Sequence, residues 1–125
     1  MTEEPRYRGR GQTMSEWVSF MPNELNDIGV GLYSIIGTGR RAFGLEGAAL
    51  TDFIRRSLYA LVERGARPRH AGSFDEPRRD TPLHYGNDTN AEIVEGVIAD
   101  WLAAGAPDLE WGDFWFELPG RPKGI

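Results

Sequence analysis

The sequence contains no cysteine, a single lysine at Lys123 and no run of about 18 consecutive apolar residues, the length that a membrane helix needs. Without thiols the chain forms no disulfide and offers neither a thiolate nucleophile nor a cysteine ligand for zinc or an iron–sulfur cluster. Its N-terminal segment is charged and lacks the apolar stretch of a secretory signal. We therefore expect a soluble, cytoplasmic protein with no membrane segment.

Length and composition indicate one folded domain. The 125 residues are 40% hydrophobic and 26% charged, values typical of a globular protein whose core needs no metal or disulfide. Residues 1–13 place Arg6, Arg8 and Arg10 among glycine and proline without an apolar period, so we expect a flexible arm there and a globular domain over 14–125. Thirteen of the fourteen basic residues are arginine, a bias typical of bacterial proteins from GC-rich genomes.

The N-terminal half contains two patterns typical of amphipathic helices. Apolar residues at three- and four-residue steps predict a helix over about 23–43, although four glycines leave a buried strand over 30–36 as the alternative. A cleaner pattern predicts a second helix over about 48–64, with Gly65 as its C-terminal stop. Ser15 is the expected N-cap of a shorter helical turn that precedes both.

The C-terminal half adds a third helix and the two best strand candidates. Thr89 and Glu92 have capping-box spacing, and the apolar residues after them predict a helix over about 90–104. Residues 66–71 are one strand candidate, and 113–118 alternate apolar and polar side chains as a half-buried strand does. We predict a small α+β domain, mainly helical, with three main helices and a two-stranded β-ribbon.

This order of elements resembles that of small bacterial α+β proteins of uncharacterised function. The resemblance lies in the helix pair, the polar loop over 72–88, the third helix and the ending WGDFWFELP, and it covers about residues 25–118. It implies the α+β fold but no activity, and it supplies no functional residues.

Residues 37–42 read GTGRRA and match the G-x-G-x-x-G/A fingerprint of dinucleotide-binding folds. A true fingerprint opens a helix directly, whereas Gly44 and Gly47 interrupt this one, and the chain has too few strands for a doubly wound sheet. We therefore interpret these small residues as a contact between helices.

Two histidines and several hydroxyl and carboxylate side chains fall in or beside the polar loop. A metal or acid–base site could draw on His70, His84, Asp75, Asp80 and Asp88. Their spacing matches no established ligand pattern, and Ser73 beside these groups lacks the framework that orients a catalytic triad. We expect solvated loop residues, no enzyme activity, and no metal or cofactor.

The negative charge is concentrated in the C-terminal third. The net charge is −5, and residues 80–117 contain nine acidic side chains with no lysine or arginine. Aromatic anchors among acidic groups suit a partner with a basic surface, as in immunity and inhibitor proteins. The candidate partner-binding residues are Tyr85, Asp88, Glu92, Glu95, Asp108, Glu110, Trp111, Asp113 and Trp115.

Two other functions stay open as alternatives. A nucleic-acid-associated regulator of winged-helix type would use the arginines of the arm with Arg55 and Arg56, but the acidic charge disfavours nucleic acid. A small-ligand-binding protein would need an apolar cavity between the helices. A homodimer is compatible with the sequence.

Overall fold

The computed structural model describes residues 4–71 and 81–120, and in them the predicted α+β, mainly helical fold is confirmed. Four α-helices occur in these ranges: α1 (Met14–Phe20), α2 (Leu32–Gly37), α3 (Gly47–Glu63) and α4 (Asn90–Ala103). Four short strands accompany them: β1 (Val30–Gly31), β2 (Arg67–His70), β3 (Thr81–Pro82) and β4 (Trp115–Glu117). Two 3₁₀ turns, Tyr7–Gly9 and Met21–Asn26, and a π-helical turn, Thr38–Ala42, complete the described elements.

The core forms mainly where α3 packs against α4. Both helices bury the apolar face that their sequence periodicity predicts, and the largest buried side chains include Phe53, Leu58 and Trp101. The expected stop at Gly65 is confirmed by its positive φ of 93°. The predicted capping box of Thr89 is also confirmed, because its side chain accepts a hydrogen bond from the backbone N–H of Glu92.

The strands form one antiparallel sheet in the order β1-β4-β2-β3. The predicted pairing of β2 with β4 is present, with Arg67 opposite Glu117 and Arg69 opposite Trp115. The two-stranded ribbon is extended on both sides by β1 and β3, strands too short to give a sequence signal. Phe116 is fully buried in the core, and the alternation of the strand directs its neighbour Trp115 to the opposite face.

The prediction of one helix over 23–43 is wrong. The chain instead forms a 3₁₀ turn, strand β1, helix α2 and the π-helical turn. Gly29 has φ of 132°, and a Cβ at this position would lie 2.6 Å from the carbonyl oxygen of Phe116. The close approach of the two backbones therefore requires glycine at this position, and a helix cannot continue through it. The alternative of a strand over 30–36 is correct only at Val30 and Gly31.

The N-terminal segment folds back onto the domain. The backbone of Arg6 pairs with Thr13 in an isolated β-bridge, and the ring of Tyr7 meets Phe43 edge to face at 5.7 Å. The N-cap of α1 is Thr13 and not Ser15, because Thr13 and Glu16 form a complete capping box. Residues 4–13, predicted as part of a flexible arm, thus contact the core through Tyr7.

Candidate functional site

Tyr85 lies along α4 and is held there by a glycine and an aspartate. A Cβ on Gly96 would overlap with the Tyr85 ring, so the glycine provides the space in which the ring packs. The Tyr85 hydroxyl donates a hydrogen bond to Asp100 at 2.8 Å. Burial and this hydrogen bond both raise the pKa of Tyr85 above its ordinary value. The ring of this predicted binding residue is therefore committed to contacts within the molecule.

Asp88 closes the turn that follows Tyr85. Its carboxylate accepts a hydrogen bond from the backbone N–H of Tyr85 at 2.9 Å, and its second oxygen lies 2.8 Å from Nδ1 of His84. These two interactions, the backbone hydrogen bond first, lower the pKa of Asp88. The residue also has a φ of 58°, a left-handed conformation that aspartate tolerates better than most residues. Asp88 therefore stabilises the entry to α4.

Glu92 and Glu95 lie one turn apart on α4 and both have partners within the chain. Glu92 completes the capping box, and a Cβ on Gly86 would overlap with its carboxylate. Glu95 accepts hydrogen bonds from Nε and Nη2 of Arg55 at 2.9 and 3.1 Å, a bidentate ion pair that joins α4 to α3. The hydrogen bond from Arg55 to Glu95 is the main cause of the raised pKa of this arginine.

Asp108 lies beyond the C-terminal end of α4, where it pairs with Arg40. The same guanidinium donates a hydrogen bond to the carbonyl oxygen of Ala106 at 2.7 Å. It thus fixes the turn after α4 to the π-helical turn. Asp108 therefore has a structural partner, as do the acidic residues of the α4 entry.

Trp111 is the most exposed aromatic residue of the predicted set. Its side chain is 48% exposed, whereas Trp115 is only 6% exposed, and the two ring centroids lie 4.7 Å apart. The Trp111 ring thus packs against Trp115 and remains about half exposed. Sequence reasoning grouped the two tryptophans, but the structure separates an exposed ring from the buried ring beneath it.

Two acidic residues flank Trp111 in the same turn. Asp113 accepts a hydrogen bond from the backbone N–H of Glu110 and lies 3.5 Å from Nε2 of His70. Within residues 4–71 and 81–120, no ion pair or hydrogen bond involves the Glu110 carboxylate. We call Glu110, Trp111 and Asp113 the Trp111 patch.

Tyr33 borders the Trp111 patch and was missed by the sequence analysis. Its side chain is 36% exposed at the start of α2. A Cβ on Gly31 would lie 2.7 Å from Cδ1 of Tyr33 and 3.0 Å from the carbonyl oxygen of Trp111, so this glycine lets the two segments meet. The signal in the sequence is Gly31 itself, which the helical periodicity assigns to the predicted helix over 23–43.

The two histidines belong to separate pairs, His70 with Asp113 and His84 with Asp88. The described part of the chain contains no group of three or more side chains placed to hold a metal ion. Three residues considered for such a site or for a triad, Ser73, Asp75 and Asp80, lie outside the described residues.

Arg55 and Arg56, considered for nucleic-acid binding, have partners in the chain. Besides the pair with Glu95, Arg55 contacts Asp52, while Arg56 donates a hydrogen bond to the Ser15 hydroxyl at 2.8 Å and lies near Glu4. Arg55 thus connects α3 to α4, and Arg56 connects α3 to α1 and the N-terminal segment. They do not form a stripe of unpaired charge.

None of the helices in the described residues is long and apolar enough to cross a membrane. Comparison of the chain with protein-family models, curated proteins and solved structures finds no match.

Proposed function

We propose that this chain is a noncatalytic protein-binding domain of the immunity or inhibitor kind, and that it engages a basic partner through the Trp111 patch. The observation that carries the proposal is the half-exposed Trp111 ring on a buried Trp115 base, flanked by carboxylates. Tryptophan is among the residues most enriched at the energetic centres of protein interfaces.

The support beneath Trp111 favours binding. Because its ring packs on Trp115, less side-chain freedom remains to be lost when a partner covers it. Such preorganisation increases the affinity gained from each unit of buried area. A partner pocket that accepts the ring would also shield the edge of Trp115.

The charge of the patch favours a basic partner. Glu110 and Asp113 lie beside Trp111, and the whole chain has a net charge of −5. Complementary charge steers association and excludes partners of the same sign, with a larger effect on the association rate than on the final affinity. Glu92 and Glu95 add to this field from α4 without being free for new contacts, since each already has a partner.

Affinity capture with variants tests the proposal. Tagged wild-type protein, Trp111→Ala and Glu110→Lys would be incubated with a lysate of the source organism, and captured basic proteins quantified by mass spectrometry. The captured partner would then be purified and its dissociation constant measured. We expect Trp111→Ala to weaken binding by about tenfold or more, as loss of an interface anchor does, and Glu110→Lys to weaken it chiefly by slowing association.

Two matched variants serve as controls. Leu102→Ala removes a side chain with 49% exposure outside the patch, and Glu63→Lys makes the same charge change at the exposed end of α3. Both should bind like the wild type. If the patch variants retain the partner, or if the controls lose it equally, the Trp111 patch is not the binding surface.

A further inference from the structure

A second surface site lies between the N-terminal turn and the segment from α2 to the π-helical turn. It is a solvent-open cleft of about 220 Å³. Its functional lining consists of two guanidinium groups, two phenol rings and two hydroxyls, from Arg8, Arg41, Tyr7, Tyr33, Ser34 and Thr38. These groups converge from segments that are about 30 residues apart in the sequence, and the lining contains no carboxylate.

Arg41 is positioned over the helix by a glycine. A Cβ on Gly37 would overlap with Nη2 of Arg41, so only glycine permits the guanidinium to lie against the backbone there. Arg41 belongs to the π-helical turn Thr38–Ala42, and such turns occur frequently at functional sites. This is also the GTGRRA segment. Gly39 packs against Leu50 and Phe53 as a helix contact, whereas Gly37 leaves space for the Arg41 guanidinium.

Arg8 approaches the cleft from the opposite side in an unusual conformation. Its φ of 49° and ψ of 32° lie in the left-handed region, which costs a residue with a side chain free energy and is enriched at ligand-binding sites. Its Cζ lies 5.8 Å from the centroid of the Tyr7 ring, which itself packs on the core. The turn is closed by the bridge between Arg6 and Thr13.

Within the described part of the chain, the cleft arginines lack the carboxylate partners that several arginines elsewhere in the fold have. Arg40 and Arg55 are each paired with a carboxylate. Among residues 4–71 and 81–120, no carboxylate lies within ion-pair distance of Arg8 or Arg41. An acidic protein has thus left two guanidinium groups unneutralised at one cleft.

We propose that this cleft binds the phosphate group of a small aromatic phosphomonoester. Guanidinium groups match the oxygens of phosphate in charge and in bidentate geometry, and the hydroxyls of Ser34 and Thr38 can donate to further oxygens. The cleft is open to solvent, so a phosphate group can enter it while an attached ring stays partly outside. The half-exposed Tyr33 offers an aromatic surface for that ring.

The proposal is tested by NMR titration of the full chain with phenyl phosphate and, separately, with inorganic phosphate. Binding of phenyl phosphate should shift the backbone amides of 33–41 and the side-chain Nε–H signals of Arg8 and Arg41. Inorganic phosphate should shift the same signals but bind at least about threefold more weakly, because it lacks the ring. If neither probe shifts these signals, the site is refuted, and equal affinity for both refutes the aromatic part.

Three variants separate specific binding from general attraction of anions. Arg8→Gly removes a guanidinium at a φ that glycine prefers, and Arg41→Ala removes the other, so each should weaken phenyl phosphate binding by about tenfold. Arg10→Ala makes the same charge change on the same turn outside the cleft and should change affinity less than twofold. Equal losses in all three would refute the site.

The cleft and the Trp111 patch meet at Tyr33, but their tests are independent. Arg8→Gly and Arg41→Ala leave Trp111 and Glu110 unchanged and should retain the protein partner. Thermal unfolding of each variant confirms folding. Glycine adopts the left-handed conformation at position 8 without steric strain, so we expect Arg8→Gly to fold normally. This variant therefore still tests the site if Arg41→Ala is destabilised.

Discussion

Two acidic regions of this protein differ in how far their carboxylates have partners within the chain. At the entry to α4, the carboxylates of Asp88, Glu92 and Glu95 each accept hydrogen bonds from groups of the same chain. In the Trp111 patch, Glu110 has no such partner within the described residues, and an exposed tryptophan lies beside it. Negative charge alone therefore does not identify a binding surface. The deciding property is whether each carboxylate already has a hydrogen-bond or ion-pair partner within the folded chain.

Glycines explain much of this difference. At the α4 entry, Gly86 and Gly96 provide space for the Glu92 carboxylate and for the Tyr85 ring, so both side chains pack inward. In the patch, a Cβ on Gly112 would lie 2.5 Å from the carbonyl oxygen of Ala71, so that glycine serves the backbone and provides no space for the tryptophan. Glycine thus accommodates side chains at the α4 entry and a backbone contact in the patch.

The largest expected effect is that of Gly96→Ala. The added methyl would overlap with the Tyr85 ring, which must move and lose its hydrogen bond to Asp100. Overpacking of this kind costs about 1–3 kcal/mol, and alanine returns up to ~1 kcal/mol of helix propensity. We expect the free energy of unfolding, measured by urea denaturation, to fall by up to about 2 kcal/mol, the larger cost less the full propensity gain.

Tyr85→Phe is the matched comparison for that variant, because it removes the hydroxyl and keeps the ring in place. It should cost about 1 kcal/mol or less, the usual contribution of one hydrogen bond. An increase in stability for Gly96→Ala would contradict the packing of Tyr85 on α4.

Thr89→Ala should have the next largest effect on stability. It removes the oxygen that accepts the N–H of Glu92 and should lower the free energy of unfolding by about 1 kcal/mol. Thr89→Ser retains the oxygen and should be close to the wild type. A loss of equal size in the serine variant would show that the methyl group, and not the cap, stabilises the entry to α4.

A smaller and pH-dependent effect is expected at Asp88. Because folding lowers its pKa, the charged carboxylate stabilises the fold above the ordinary pKa of aspartate, about 4, and this contribution is lost as the pH falls through the lower folded value. Asp88→Asn keeps the tolerance for a positive φ but lacks the charge. The stability difference between wild type and Asp88→Asn, measured by denaturation at several pH values, should therefore shrink below about pH 4. If the stability difference between the two proteins stays the same at every pH, the charge of Asp88 is not its source.

The sequence predicted those features of the fold that depend on local spacing. Thr89 and Glu92 lie three residues apart, so their capping box can be recognised from the sequence. Thr13 and Glu16 have the same spacing, which points to Thr13 and not to the predicted Ser15. The error over 23–43 had a non-local cause. Gly29 is required by its approach to Phe116, a residue more than 80 positions later, and helical periodicity contains no information on that contact.

The candidate site was predictable only as a region. Asp108 and Glu95 pair with Arg40 and Arg55, which are 68 and 40 positions distant, so the sequence could not reveal that these charges are satisfied. Composition also could not distinguish the exposed Trp111 from the buried Trp115 four residues later. Both distinctions depend on tertiary contacts, which the sequence does not show.

The smallest expected effect on stability belongs to Glu110→Lys and completes the comparison of the two acidic regions. Since the described residues leave the Glu110 side chain without a hydrogen bond or ion pair, its reversal should change the free energy of unfolding by less than about 0.5 kcal/mol. The same charge reversal at Glu92 breaks the capping box and places a cation at the positive end of α4, so it should cost more than about 1 kcal/mol. Equal stability losses from the two reversals, measured by urea denaturation, would mean that Glu110 also stabilises the fold. A stable Glu110→Lys protein that has lost its partner would instead assign this carboxylate to binding alone.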